Sequence, residues 1–350
     1  MFRGTLPATD MRSGSAVVRI LLPLGFIFAA ATASAQVLDL TIHNTGLAIG
    51  DKSRVNGVRI NFRDRRLEQV NGSNITIWGP YSPATGVVNG LALGLPATGA
   101  REINGIATGL LGVGADRSIT GIGVAPIGLG SGGEIRGIMI AGIGVGGAGS
   151  MTGINIGGIG VGSAGMVSGI SIGGIGVGSG SGLRGLSIGG IGVGSGGDVK
   201  GIAIGGIGVG SASSFTGIGI GGLGFGSGGD ATGLMIGGIG VGSGDRLEGL
   251  SIGGIGVGAP NLRGVALSPI AAGGENVHAI VVAGAYFKVE SNGRFDGGSL
   301  SAFNHVKGAQ HGLTIGVVNY ARELHGAQVG LINISENGGR RRILPVVSIR

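Results

Sequence analysis

An all-β repeat protein is encoded by this chain, on three observations. A glycine-rich unit recurs every sixteen residues from Gly153: GINIGGIGVGSAGMVS, GISIGGIGVGSGSGLR, GLSIGGIGVGSGGDVK, GIAIGGIGVGSASSFT, GIGIGGLGFGSGGDAT and GLMIGGIGVGSGDRLE. A fixed period of this length means one small supersecondary unit copied and packed against its neighbours. Within each unit Ile, Leu and Val alternate with small residues, the period-two mark of strands with one apolar face, which excludes a helix. The composition agrees, with 86 glycines in 350 residues, no cysteine and 12% charged residues. Glycine does not fall at every third position, so the chain is not collagen-like, and the regular apolar positions exclude a disordered polar chain.

Taken in order, the chain begins with Arg12 and Arg19 ahead of the apolar stretch ILLPLGFIFAAATA, and Ala33-Ser34-Ala35 fits the small-x-small cleavage rule before Gln36. Residues 1–35 are therefore expected to be a secretory signal peptide cleaved at Ala35-Gln36. A membrane anchor is disfavoured by the short stretch and by Pro23. With no cysteine to carry a lipid, the mature chain is expected in the periplasm, outer membrane or cell surface without being a lipoprotein. Loss of the leader removes Arg3, Arg12, Arg19 and Asp10, lowering the formal net charge from +7 to +5.

Residues 36–350 form a single glycine-rich β-repeat domain in this reading. Degenerate units come first, as VNGVRINF, VNGSNITIW, VNGLALGL and INGIATGL. Regular sixteen-residue units fill about 105–264, and HGLTIGVVNYARELHGAQVGLINISEN follows near the end. More polar, atypical units at both ends are the expected caps of a repeat array.

In the unit 185–200, Leu186 and Ile188 alternate with small residues, as do Ile191 and Val193, but Gly189-Gly190 shifts the phase by one. A two-residue hairpin turn, a bulge or a solenoid corner produces such a shift. Ala125-Pro126 and Ser268-Pro269 occupy the slot elsewhere, and proline cannot take the positive φ of a type I′ turn, so not every copy is that hairpin. The long unit from Ala279 reads YFKVE-SNGR-FDGG, where Asn292-Gly293 between alternating residues signals a hairpin. Phe287, Val289 and Glu290 would then pair antiparallel with Gly298, Asp296 and Phe295. Unit lengths also change by pairs, to eighteen and fourteen residues, as hairpins allow. These signals favour repeated short antiparallel hairpins forming a shallow closed ring or barrel, with a β-solenoid or an outer-membrane barrel as alternatives.

One face of this sheet is expected to carry Ile170, Ile172, Ile175, Val177, Leu186, Ile188, Ile191, Val193, Ile202, Ile204, Ile207 and Val209. A sheet so sided must bury that face, as core or as the lining of a ligand site. A further apolar position, held by Ile119, Ile135, Met151, Val167, Leu183, Val199, Phe215 and Leu247, is expected to cover glycines near the turns.

The segments VNGLALGL, HGLTIGVVNYARELHGAQVGLINI and ILPVVSI resemble the glycine-rich bacterial surface-repeat proteins with units of the form NG-h-x-h-G-h-h-N. They are also similar to the β-flower architecture, in which hairpins surround a shallow barrel with an apolar interior. The resemblance covers most of the mature chain. It implies an exported all-β repeat protein and supplies no catalytic residues.

Chemistry-bearing patterns are sparse. Gly192-x-Gly194-x-x-Gly197 mimics a dinucleotide fingerprint but lacks the following helix, and no Walker lysine follows any glycine loop. Asp198 and Asp230 lie in GGD turns, yet other units carry no aspartate there, so a calcium-binding roll is not expected. His43, His278, His305, His311 and His325 show no metal spacing, although His305, Lys307 and His311 cluster near a variable unit. No cofactor, metal or catalytic residue is expected. One Trp and 4% aromatics give no stacking platform for nucleic acid. The expected role is that of a non-enzymatic cell-envelope protein whose partner is a hydrophobic small molecule, a lipid, the membrane surface or another surface partner. An outer-membrane pore and an adhesin-like surface solenoid are the other readings.

Overall fold

Each sixteen-residue unit closes one coil of a stack. In the computed structural model, which describes residues 37–350, strand Gly182–Gly189 turns at Gly190-Ile191 into strand Gly192–Ser195, and Gly196-Gly197 turns into the next strand, Asp198–Gly205. That strand lies parallel and in register on its predecessor, with Gly185 opposite Gly201, Leu186 opposite Ile202 and Ile188 opposite Ile204. Strand Gly192–Ser195 lies in the same way on Gly208–Ser211. Repetition of this step builds a β-solenoid of about 18 turns with 73% strand.

The leading glycine of each unit makes the coil bend. From Gly57 to Gly264 these glycines have φ between +99° and +141°, and Gly185 has +101°, a region that side chains disfavour. A Cβ on Gly185 would also overlap the carbonyl oxygen of Gly169 one coil below. The serine of GVGS secures the opposite corner. Ser179 Oγ lies 2.7 Å from the carbonyl oxygens of Gly165 and Gly182 and accepts the Gly182 N–H at 3.0 Å, a local bond that serine readily makes at turns.

Three rows of side chains point inward. One contains Ile103, Ile119, Ile135, Met151, Val167, Leu183, Val199 and Phe215, a second runs through Val177, Val193 and Val209, and the third is small, with Ser171, Ser187, Ala203 and Gly219; all are buried. The rows compensate in volume. Gly219 leaves the space that the Phe225 ring fills, against Phe215 at 4.8 Å and 90°, while one coil on Ala231 is paired with Met235. Close-packed interiors require such matching.

The expected closed ring gives way to its solenoid alternative. Pairing from coil to coil is parallel, and among the described residues antiparallel pairs occur only at the two ends, Leu38–Ile42 with Thr45–Ile49 and Ala327–Ser335 with Arg342–Ile349. Among the described residues the two end strands do not pair with each other, unlike the closed antiparallel sheet of a membrane barrel. The Asn292-Gly293 hairpin is likewise replaced: strand Tyr286–Phe295 runs straight through it. Val289 opposes Val306, and after a break Arg294 opposes Ala309. The extra pair of residues is extruded as a bulge with Asn292 at φ +68°, which preserves the alternation of sides as a hairpin would. Ala125-Pro126 and Ser268-Pro269 lie at the Gly-Gly corner, where the strands break. The leader expectation falls on residues outside those described.

Candidate functional site

Parallel stacking turns each outward position into a row along the solenoid, and three outward rows are apolar. At the Gly-Gly corner, Leu111, Ile127 and every sixteenth residue to Ile255, followed by Ile270, are each 45–50% exposed. Two further rows flank this one on the adjoining strand. They pass through Ile170, Leu186 and Ile202 and through Ile172, Ile188 and Ile204, half-buried to exposed along their length.

The twelve residues expected on one apolar face therefore divide between two. Val177, Val193 and Val209 point inward and are buried, whereas Ile170, Ile172, Ile175, Leu186, Ile188, Ile191, Ile202, Ile204 and Ile207 point outward. The phase shift at Gly189-Gly190 causes this division, because a corner of the coil lies there. The small residues lie inside since the coil is too narrow for three bulky rows.

The ladder face ends differently at its two extremities. Toward the N-terminus the same corner carries Phe62 and Trp78, stacked at 6.4 Å, with Leu110; all three are exposed. Toward the C-terminus the corner residues shrink to Ala285 and Ala302 before Val317, which is 51% exposed, leaving a shallow depression of about 400 Å³ lined by Val282, Leu300, Ala302 and Val317. Sequence reasoning missed both ends. The spacing of Phe62 and Trp78, sixteen residues apart in a chain with one Trp, was the available signal.

A second cluster lies on the wall formed by the short strands. In the central coils this wall presents only glycine, such as Gly192 and Gly194. From residue 286 onward it carries Tyr286, Phe303, His305 and Tyr320, with neighbouring ring centroids 5.2 to 5.5 Å apart. Tyr286 Oη lies 2.9 Å from His305 Nδ1, and Tyr320 Oη donates to Glu336 at 2.9 Å. Burial lowers the His305 pKa, helped by the positive charges of Lys307 and Lys288. Burial also raises the Tyr286 and Tyr320 pKa values, aided at Tyr320 by the bond to Glu336. The three rings and the imidazole form a packed polar-aromatic cluster.

His311, expected near His305, instead stacks on His325 at 5.0 Å and lies 3.7 Å from Asp296, which His278 approaches to 2.9 Å. Among the described residues no group of three His, Cys, Asp or Glu side chains is placed to hold a metal ion. Gly192-x-Gly194-x-x-Gly197 spans a strand and a corner and leads into another strand. Asp198 accepts a bond from Ser214 Oγ at 2.7 Å, and this bond foremost holds its carboxyl below its ordinary pKa.

At the N-terminal end Arg59 is fully buried. Its guanidinium meets Asp51 at 2.8 Å, Asn74 at 2.8 Å and the Asp64 carboxylate, while Asp64 also accepts from Asn61 and Thr76 at 2.6 and 2.8 Å. These partners satisfy the buried charge and tie the 62–68 segment into the core, a structural use. Among the described residues no helix is long and apolar enough to cross a membrane. No protein-family model, curated protein or solved structure matches this chain.

Proposed function

We propose that this protein is a non-enzymatic, exported β-solenoid of the cell envelope and that its ladder face is an association surface covered in the working state. The observation that carries the reading is the corner row, eleven large apolar side chains each 45–50% exposed, flanked by two more apolar rows. Contiguous apolar patches on monomeric proteins rarely exceed a few hundred Å², and this one runs the length of the regular coils. The apolar partner expected from composition is thus taken on an outer wall instead of inside a ring, since the interior is filled by packed rows. Export rests on the leader-like residues 1–35.

The test compares wild type with the triple variant I175T/I191T/I207T, which keeps β-branched side chains on the strands and removes three apolar rungs. Fractionation of expressing cells, sedimentation and vesicle flotation should all be compared, with the far-UV spectrum as a check on folding. Wild type should sediment in an associated form or float with vesicles, and the variant should shift toward the free monomer. Identical behaviour of the two proteins in every association measurement would overturn the reading.

A further inference from the structure

We infer that the ladder face is covered by a second copy of this chain, packed face to face and antiparallel about a twofold axis passing through the coil of Ile191. This rests on the reading of the face as an association surface and names its partner.

Area is the first argument. Eleven coils at about 4.8 Å per coil give a ladder about 50 Å long. Its width, from the row of Leu186 to that of Ile191, is five residues or about 16 Å. The footprint is therefore about 800 Å² per copy, which matches the share of each partner in a standard stable interface.

Spacing is the second. Rungs repeating at the strand separation form ridges and grooves, and another in-register β-ladder is commensurate with them over ten repeats. Two inner faces of a β-sandwich interdigitate in this manner. Isoleucine is stiff at χ1, so little side-chain freedom is lost on docking.

The ends of the face supply the third argument, and they set the direction. A twofold axis lying in the interface and across the solenoid leaves each row opposite its own copy while exchanging the N-terminal and C-terminal ends. Trp78 of one copy then stands over the depression at Ala302 of the other, with Phe62 one coil farther out over Val317 at its edge, and the converse contact follows by symmetry. Along the corner, Trp78 and Ala302 each lie seven coils from Ile191, so the axis that mates both ends passes through Ile191 and overlaps the ladders completely. A parallel pair would instead set knob against knob and depression against depression.

Sedimentation equilibrium of the purified mature chain, residues 36–350, reads the copy number. A dimer is expected for wild type, and monomer for folded I175T/I191T/I207T. The chain has no cysteine, so I191C introduces a unique thiol. A bismaleimide spanning roughly 10 Å, the separation of packed sheets, should link most of I191C into dimers. The same reagent should leave I255C unlinked, because that residue is four coils from the axis and its copy is displaced by about eight strand spacings. A wild-type monomer that floats with phosphatidylcholine vesicles, with flotation lost in the triple variant, would overturn the second copy while keeping the association surface. A monomer that neither floats nor differs from the variant would remove both. A dimer linked through I255C as readily as through I191C would overturn the antiparallel arrangement.

Discussion

The central coils and the C-terminal coils use one backbone for opposite interiors. Around Val177, Val193 and Val209 the inward row on the short strands is apolar, and coils adhere by burying it. At the C-terminal end that row becomes Asn304, Asn319 and Asn333, whose amides donate from coil to coil at 2.7 and 2.8 Å. Stacking in register makes this substitution workable, since each amide meets an identical neighbour one strand away. Asn155 shows what happens without neighbours: it is buried between Met139 and Ser171, and neither its Oδ1 nor its Nδ2 finds a partner among the described residues.

The largest effect should come from the glycine that bends the coil. Gly185→Val combines an unfavourable φ of +101° with overlap on Gly169, and a loss of about 3 kcal/mol or more is expected in urea unfolding. Gly194→Val is the control. An added Cβ there meets nothing within 4 Å, so stability should stay within about 0.5 kcal/mol. Similar losses for both would mean that glycine serves general chain flexibility and not one bent position.

The two kinds of buried asparagine should respond with opposite sign to one change. Asn319→Leu strands the amides of Asn304 and Asn333, so a loss of about 2 to 3 kcal/mol is expected. Asn155→Leu removes two unsatisfied polar atoms, so a gain of about 1 kcal/mol is expected. Thermal unfolding of the two variants beside wild type reads both signs, and a destabilised Asn155→Leu would sink the comparison.

A smaller effect should separate the regions by pH. The folded-state pKa of His305 lies below its ordinary value, chiefly through burial. Protonation therefore favours the unfolded chain. The contribution of His305 is fully present above the ordinary histidine pKa of about 6.5 and is lost as pH falls from there toward its lowered folded value. Protonation at Nδ1 also removes the acceptor facing Tyr286. The urea midpoint, followed by tyrosine fluorescence, should fall between pH 7.5 and pH 5, and H305Q should flatten that fall. An unchanged pH dependence in H305Q would show that other groups control it.

The caps and the bulge show how much was legible beforehand. Polar, atypical units at both ends were readable from VNGVRINF and from the asparagines of HGLTIGVVNYARELHGAQVGLINI, and the structure places Asn56, Asn71, Asn89 and Asn104 in an outward ladder with bonds of 2.7 to 3.0 Å. The apolar position of Phe215, three residues before Ile218, was readable, but the ring that takes the space at Gly219 is that of Phe225. The hairpin at Asn292-Gly293 misled because its local chemistry suits a turn and a bulge equally, and a change of two residues preserves sidedness in both. The ladder face was visible as a set of residues, but its direction was not.

Period and alternation are local properties, so repetition, strand character and the all-β class follow from the order of residues alone. Whether neighbouring strands run parallel, and which side of each strand is inside, depend on how coils close and on the room they enclose. A coil of sixteen residues leaves a narrow interior that takes valine beside serine or glycine and excludes a full set of isoleucines. Closure of the coil therefore turns the isoleucines outward.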